Sequence, residues 1–315
     1  MRIVAKGLNW LGDAVMSLPT LTSLRSMHPK AHIAVLTRRW LGDLYRAAPV
    51  DEVLAYDTWL QGVRVAKKSK FDTALILPRS FSSAFMLFTA RVPRRIGYRG
   101  EARSAMLTDA VARDKALLKI HRVHYYHHLL KSLGDPPAVT APKIDLPADA
   151  RDWAAQALGG DGWLGVNPGA TYGAAKQWFP DRFIAVIKRL KMKTVVVGGT
   201  GDAELATRMA KETGALNLAG KTTVLQSAAA IARCSLFLTN DTGPMHLADA
   251  VGTPIVAIFG PTDWVATPPF GKKHVIVRKE IECAPCMKRL CPLKHHNCMK
   301  WVSADDVYAA CKKLA

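Results

Sequence analysis

The stretch Ser235–Thr262 (SLFLTNDTGPMHLADAVGTPIVAIFGPT) decides which fold this sequence predicts. It begins with a short apolar run of strand length, Ser235–Thr239, and passes through a polar turn into a short helix, Met245–Val251. A second apolar run, Pro254–Phe259, predicts another strand. Two buried strands joined by a helix belong to a parallel sheet, so the turn lies at the carboxyl edge of that sheet, where open α/β sheets bind ligands.

The turn carries the polar side chains that predict a ligand site. Asp241 on its own could simply cap the helix, and His246 could simply pack in the core. However, Asn240, Asp241, Thr242 and His246 all crowd one strand end. This clustering favours a ligand site, and the free N–H groups of a helix N-terminus suit a phosphate.

Length and composition predict a two-domain globular protein with a basic surface. The chain has 315 residues, with 49% hydrophobic and 22% charged residues and a net charge of +19. Residues 1–150 hold 23 Lys and Arg against 12 Asp and Glu, so the excess is not confined to a tail. The candidate partners are nucleic acid, an anionic membrane surface or a phosphorylated substrate. No recognisable nucleic-acid-binding motif accompanies the charge, so nucleic acid is the less favoured partner.

No apolar run reaches the length of a membrane span, and Asn9 and Asp13 interrupt any apolar core of a signal peptide. A cytoplasmic protein is therefore expected. Strands and helices alternate along both halves, which predicts parallel sheets with right-handed crossovers. The Pro-containing run Gly134–Pro147 predicts the linker, giving an N-terminal domain of residues 1–147 and a C-terminal domain of residues 148–315.

Three charged residues follow predicted strands: Asp13 in the first half, and Lys176 and Asp241 in the second. Asp13 is either a helix N-cap or a general base that deprotonates an acceptor hydroxyl. Lys176 is either a surface lysine or a cation that neutralises charge on a pyrophosphate leaving group. Two α/β domains would leave a cleft between their strand ends for such chemistry.

Two further segments leave alternatives open. The basic segment Arg91–Arg103 is either a solvated loop or a contact surface for an anionic acceptor. The tail holds Cys283-x-x-Cys286, Cys291 and Cys298, whose spacing is typical of a structural zinc site but equally fits four reduced thiols in a packed loop.

Several segments together resemble glycosyltransferase family 9, the lipopolysaccharide heptosyltransferases, and the cysteine-rich tail is most similar to the type II branch. The resemblance covers essentially the whole chain. The matching segments are Gly12-Asp13 with Pro19, Asn167-Pro168-Gly169-Ala170 to Lys176-x-Trp178, Asn240-Asp241-Thr242-Gly243-x-x-His246, and Phe259-Gly260-Pro261-Thr262.

The resemblance implies a GT-B architecture of two Rossmann-like domains with parallel sheets facing a central cleft. It implies an inverting transfer of heptose from ADP-L-glycero-D-manno-heptose, with no cofactor required for catalysis. The acceptor it implies is the inner core, heptosyl-Kdo-lipid A, at the cytoplasmic face of the inner membrane. The enzyme would act there as a peripheral protein without nucleic acid, and the terminal helix is expected to pack back onto the first domain.

The resemblance also implies roles for residues of this chain. Asp13 would be the general base. The donor would be bound by residues of the second half, listed here: Lys176 and Thr171 at the phosphates, Asp241 at the heptose hydroxyls with Asn240, Thr242, Gly243 and His246 around it, and Asp202 or Glu204 at the ribose.

Two other functions stay open from the sequence. One is a family 9 transferase that uses another nucleotide sugar, and the other is a nucleotide- or nucleic-acid-binding protein without transfer activity. Asp13 discriminates between an enzyme and a binding protein, because a protein that only binds has no need of a carboxylate in the other domain.

Overall fold

The computed structural model describes residues 1–100 and 102–314 of the chain. The described residues form two compact units, Met1–Asp145 and Leu146–Ala315. Each unit contains one six-stranded parallel sheet. The predicted α/β class is therefore confirmed for both halves.

The first unit alternates strands and helices, as the sequence predicts. Its strands are β1 Arg2–Lys6, β2 His32–Arg38, β3 Glu52–Tyr56, β4 Thr73–Ile76, β5 Arg94–Tyr98 and β6 Asp109–Val111. Its helices are α1 Leu11–Met16, α2 Leu18–Met27, α3 Gly42–Arg46, α4 Trp59–Lys68, α5 Phe81–Thr89, α6 Lys115–Lys119 and α7 Arg122–His127. The strand order is β3-β2-β1-β4-β5-β6. Strand β1 therefore lies at the centre, and successive strands are added on one side of it up to β3 and on the other side from β4 onward.

Strand β5 lies inside the basic segment that the sequence left open as a solvated loop. Its first residue, Arg94, is exposed, whereas Ile96 and Tyr98 are buried against the neighbouring strands. The apolar positions of this strand form too short an alternating pattern to be recognised among the surrounding arginines.

The second unit repeats the pattern of alternating strands and helices, and it contains the stretch Ser235–Thr262. Its strands are β7 Trp163–Asn167, β8 Thr194–Val196, β9 Leu216–Asn217, β10 Cys234–Asn240, β11 Ile255–Ile258 and β12 His274–Val277. Its helices are α8 Ala148–Leu158, α9 Pro180–Leu190, α10 Ala203–Thr213, α11 Val224–Ala232, α12 Gly243–Ala250, α13 Asn297–Lys300 and α14 Ala304–Leu314. The strand order is β12-β11-β10-β7-β8-β9.

The predicted strand–turn–helix–strand is confirmed as β10, α12 and β11. Strands β10 and β11 pair in parallel with Phe237 opposite Ile255, and β10 pairs on its other side with β7. The carboxyl ends of β7 and β10 therefore lie side by side at one edge of the sheet, which brings together two motifs far apart in the sequence.

The terminal helix α14 packs against α9 and against strands β10, β11 and β12 within the second unit. Its buried residues Val307, Ala310 and Cys311 join the core of that unit. Trp178 is fully buried in the same core and donates its indole N–H to the carbonyl of Val302, 3.0 Å away. Within the described residues, no helix is long and apolar enough to cross a bilayer.

Candidate active site

Asn240, at the end of β10, organises the carboxyl edge of the second sheet. The side chain is fully buried, and its amide donates to the carbonyls of Pro168 at 2.8 Å and Gly169 at 3.1 Å. Its Oδ1 accepts the backbone N–H of Trp178 at 3.2 Å. Asn240 thus holds both ends of residues 168–178, which we call the lysine loop. The side chain of Asn240 thus forms its hydrogen bonds with the protein's own backbone, whereas the family resemblance implies that Asn240 binds the substrate.

Asn167 and Thr242 tie the neighbouring strand ends together. Asn167 donates its amide to the carbonyl of Val197 at 2.8 Å, and its Oδ1 accepts from the hydroxyl of Thr242 at 2.8 Å. Thr242 occupies the N-cap position of α12, but its side chain makes no capping bond. The start of α12 therefore keeps the polar character that suits an anion.

Lys176 and Asp241 form an ion pair at this edge. The ammonium nitrogen lies 2.7 Å from Oδ2 of Asp241, and the two side chains are 14% and 4% exposed. The same nitrogen donates to the backbone carbonyl of Asp241 at 3.1 Å and lies 4.9 Å from the ring centre of Tyr172. Oδ2 also accepts the hydroxyl of Thr262 at 2.6 Å. Two residues with separate predicted roles are thus direct partners.

His246 and Gly243 lie on α12, behind the turn that holds Asp241. Gly243 is the first residue of the helix and His246 is a buried residue in its first turn. The structure therefore brings Lys176, Asp241, Thr242, Gly243 and His246 to one edge. Of the predicted donor residues, Thr171 is exposed at the start of the lysine loop.

Asp202 lies at the neighbouring strand end, against the lysine loop. Its Oδ2 accepts the backbone N–H of Gly199 at 2.9 Å, and burial raises the pKa of its carboxyl above the ordinary value. A Cβ at Gly169 would stand 2.0 Å from Oδ1 of Asp202, so only glycine fits there. Glu204, the alternative for the ribose, is exposed on the first turn of α10.

Asp13 lies in the first unit, in the first turn of the short helix α1. The N-cap of α1 is Trp10, so Asp13 does not have the capping role that the sequence left open. Oδ1 of Asp13 accepts the hydroxyl of Tyr126 at 2.6 Å. Burial, followed by the charge of Asp13, raises the pKa of Tyr126 well above its ordinary value. The phenol therefore stays protonated and holds the carboxylate in one orientation.

Lys6 precedes the Asp13 loop at the end of β1. Its side chain is buried, and its ammonium donates to the carbonyl of Gly7 at 2.7 Å. Burial, together with the charge of Arg38, lowers the pKa of Lys6 to about 7. The hydrogen bond from Lys6 fixes the backbone at the start of the loop that leads to Asp13.

Residues 283–298, which we call the cysteine loop, are hydrogen-bonded to the lysine loop. His296 donates from Nε2 to the carbonyl of Ala175 at 2.8 Å, and Ala175 donates its N–H to the carbonyl of Arg289 at 3.0 Å. Tyr172 donates its hydroxyl to the carbonyl of Met287 at 2.9 Å. The cysteine loop thus fixes the backbone on either side of Lys176.

The thiols of Cys283, Cys286, Cys291 and Cys298 line one small cavity together with His295 and His296. Burial, followed by the three neighbouring thiols, raises the pKa of Cys298 to about 11. Among the described residues, no three His, Cys, Asp or Glu side chains are arranged to hold a metal ion.

Several residues that complete the site were given no role from the sequence. Thr262 and Tyr172 contact the ion pair, and Tyr126 contacts Asp13 across 113 positions of chain. The structure buries Tyr126 beside Asp13. A contact over such a separation depends on how α7 packs on α1 and α2, which periodicity does not report.

Each unit is built on an open parallel α/β sheet, and the second carries a lysine, a carboxylate and a helix N-terminus at the carboxyl ends of its strands. Open α/β sheets generally bind ligands at this edge. The sequence profile of glycosyltransferase family 9 (heptosyltransferase) matches residues 62–297. The chain belongs to this family and is a glycosyltransferase.

Individual relatives span nearly the whole chain. Lipopolysaccharide heptosyltransferase 2 of Escherichia coli K12 is 29% identical, with 88% of each chain covered. Lipooligosaccharide heptosyltransferase 2 of Campylobacter jejuni is 29% identical, with 100% of this chain and 99% of the relative covered. The solved structure of E. coli ADP-heptose lps heptosyltransferase II superimposes with a TM-score of 0.86 at 26% identity, covering 100% of this chain and 98% of that one. The expected GT-B fold and the likeness to the type II branch are confirmed.

Proposed function

We propose that this enzyme transfers heptose from ADP-L-glycero-D-manno-heptose to the inner core of lipopolysaccharide, heptosyl-Kdo-lipid A, with inversion at the anomeric carbon. The observation that carries the proposal is the buried pair of Lys176 and Asp241 beside the start of α12. A cation, a hydroxyl-binding carboxylate and a helix N-terminus together match a sugar linked to a diphosphate. The names of the relatives supply the sugar and the acceptor.

In this mechanism the donor separates Lys176 from Asp241. The diphosphate takes the ammonium of Lys176, and the freed carboxylate of Asp241 accepts hydrogen bonds from heptose hydroxyls. As the bond between C1 and the phosphate oxygen breaks, ADP leaves with the electron pair. Lys176 and the N-terminus of α12 stabilise the charge that develops on that phosphate.

Asp13 is the general base in the first unit. It takes the proton from the acceptor hydroxyl, whose oxygen attacks C1 from the side opposite the leaving phosphate and so inverts the centre. The hydroxyl of Tyr126 holds Oδ1 of Asp13 and so orients the carboxylate that receives the proton. No cofactor enters the proposed steps. Asp202 or Glu204 is proposed to bind the ribose.

The acceptor explains the charge of the protein. A phosphorylated lipid in an anionic leaflet attracts a chain of net charge +19, with each nearby basic residue contributing about 1 kcal/mol. We therefore propose peripheral association with the cytoplasmic face of the inner membrane.

The test is calorimetric titration with ADP, UDP and GDP, followed by transfer to heptosyl-Kdo-lipid A. We expect clear preference for ADP and a product extended by one heptose. Preference for UDP or GDP would move the function to the alternative, a family 9 transferase with another nucleotide sugar. ADP binding without transfer of any sugar would favour a protein that only binds nucleotide.

A further inference from the structure

Helix α5 turns large apolar side chains outward as well as inward. Its buried side holds Ala84, Met86 and Leu87, yet Phe81, Phe85 and Phe88 on the other side are 42%, 38% and 46% exposed. The spacing of these three rings, four and then three residues apart, places them on one helical stripe. The helix contains no charged residue.

The neighbouring helix α4 extends this stripe into a patch. The ring of Trp59 stacks on Phe85 at 5.3 Å, and Phe81 also stacks on Phe85, at 5.6 Å. The indole N–H of Trp59 donates to the carbonyl of Ser82 at 3.1 Å, which fixes α4 to α5. Leu60 beside Trp59 is 61% exposed. We call these five side chains the aromatic face.

The segments that carry the aromatic face are rich in basic residues and hold no acidic residue. Residues 58–70 and 79–100 contain no Asp or Glu. Their basic residues are Arg64, Lys67, Lys68, Lys70, Arg79, Arg91, Arg94, Arg95 and Arg99. The guanidinium of Arg95 lies 5.4 Å from the ring centre of Phe88, so the charged rim touches the apolar patch directly. An apolar centre with a cationic rim complements a lipid surface, whose headgroups are anionic and whose acyl region lies just beneath.

We propose that the aromatic face inserts into the headgroup region of an anionic bilayer and holds the enzyme on its acceptor membrane. This deepens the proposed function and rests on it for the identity of the acceptor. Aromatic rings prefer the interface between headgroups and acyl chains, and exposed apolar patches of this kind mark interaction sites.

The aromatic face lies close to the loop that leads to the proposed base, Asp13, in the first unit. Strands β1 and β4 are parallel neighbours, with Lys6 opposite Ile76. The loop that leads to Asp13 follows β1, and helix α5 follows β4. Phe81, at the start of α5, therefore lies at the same sheet edge as the Asp13 loop. Docking by the aromatic face brings the proposed base to the headgroup level, where a lipid-linked sugar is presented.

The test is cosedimentation with vesicles of phosphatidylglycerol and phosphatidylethanolamine, compared with vesicles of phosphatidylcholine alone. We expect wild type to bind the anionic vesicles and Phe85→Ser/Phe88→Ser to bind them at least about tenfold more weakly. The matched control is Val265→Ser/Trp301→Ser, which removes two exposed apolar side chains from the second unit and should bind like wild type. Arg64→Gln/Lys68→Gln should weaken binding at low salt and leave little difference at high salt.

A second measurement locates the contact. Lipids brominated in the acyl chain should quench tryptophan fluorescence of wild type on anionic vesicles, and Trp59→Phe should lose a measurable part of that quenching. Unchanged vesicle binding by Phe85→Ser/Phe88→Ser, or quenching that does not depend on Trp59, would overturn the proposal. Loss of self-association instead of vesicle binding in that variant would also overturn it, because the face would then be a subunit interface.

These outcomes are separate from those of the proposed function. Vesicle binding is measured without substrates, so it stands even if heptose transfer fails. With an acceptor freed of its acyl chains, Phe85→Ser/Phe88→Ser should transfer at the wild-type rate. Its rate with the lipid-linked acceptor in vesicles should fall in proportion to binding.

Discussion

The ammonium of Lys176 lies 2.7 Å from Oδ2 of Asp241, and both side chains are largely withdrawn from water. The pair joins the lysine loop to the turn before α12, two segments that arrive from different parts of the sheet. In the absence of donor each charge is compensated by the other. In the proposed mechanism, binding of an anionic donor exchanges one partner of Lys176 for another.

Lys176→Met and Asp241→Asn should have different effects on the affinity for ADP. Lys176→Met removes the cation that faces the diphosphate and should weaken ADP binding by roughly tenfold or more. Asp241→Asn releases Lys176 from its partner, so ADP should bind equally or more tightly while heptose transfer falls by roughly a hundredfold. Calorimetry and transfer assays on both variants and the double variant would measure the coupling, expected at about 1–3 kcal/mol. Equal weakening of ADP by both single variants would contradict this exchange.

Asp13→Asn should lower heptose transfer by roughly 10² to 10⁴-fold, because an amide cannot accept the proton of the acceptor hydroxyl. The affinity for ADP should not change, since the donor residues lie in the second unit. Tyr126→Phe removes the hydroxyl that orients Asp13 and should lower the rate by about 3- to 10-fold, again without effect on ADP. Tyr125→Phe, the neighbouring buried tyrosine on α7, is the matched control. Full activity in Asp13→Asn would place the base elsewhere.

Lys6→Met should stabilise the protein most at neutral and acidic pH. The folded-state pKa of Lys6 is lowered to about 7 by burial, whereas the unfolded-state value is close to 10.4. Below pH 7 the folded protein carries the full cost of a buried ammonium, and this cost falls as pH rises from 7 to 10. The free energy of unfolding should thus rise by roughly 4–5 kcal/mol in the variant at pH 6 and by much less at pH 10.

Urea unfolding of wild type and Lys6→Met between pH 6 and 10 checks this difference. Lys30→Met, at an exposed position, should show no such pH dependence. A constant difference between wild type and Lys6→Met across this range would mean that Lys6 does not titrate there.

His296→Ala should raise the KM for the donor several-fold, up to about tenfold, with a smaller change in kcat. The substitution removes the hydrogen bond to the carbonyl of Ala175, and the backbone beside Lys176 loses a fixed point. His295→Ala is the control, because the ring of His295 bonds within the cysteine loop, to the N–H of Asn297. Steady-state kinetics with both variants would decide whether the cysteine loop positions Lys176. An identical effect of the two substitutions would point to general loosening of the cysteine loop instead.

Much of the fold follows from the sequence alone. Apolar runs and helical spacing locate most of the strands and helices, because each pattern is written within a few consecutive residues. The turn Asn240–Pro244 with its helix could be predicted for the same reason, and the parallel order of its strands placed it at a ligand-binding edge. Strand β5 was not predicted because its apolar positions are few and are flanked by arginines.

The tertiary structure alone decided how the site residues are paired. Lys176 reaches Asp241 over 65 positions of chain, and Tyr126 reaches Asp13 over 113. It also decided that Asn240 holds the lysine loop and that three phenylalanines of α5 face outward. The physical reason is the same in each case. Local sequence fixes the backbone and the direction of a side chain within its element, whereas packing between elements fixes which side chain it meets.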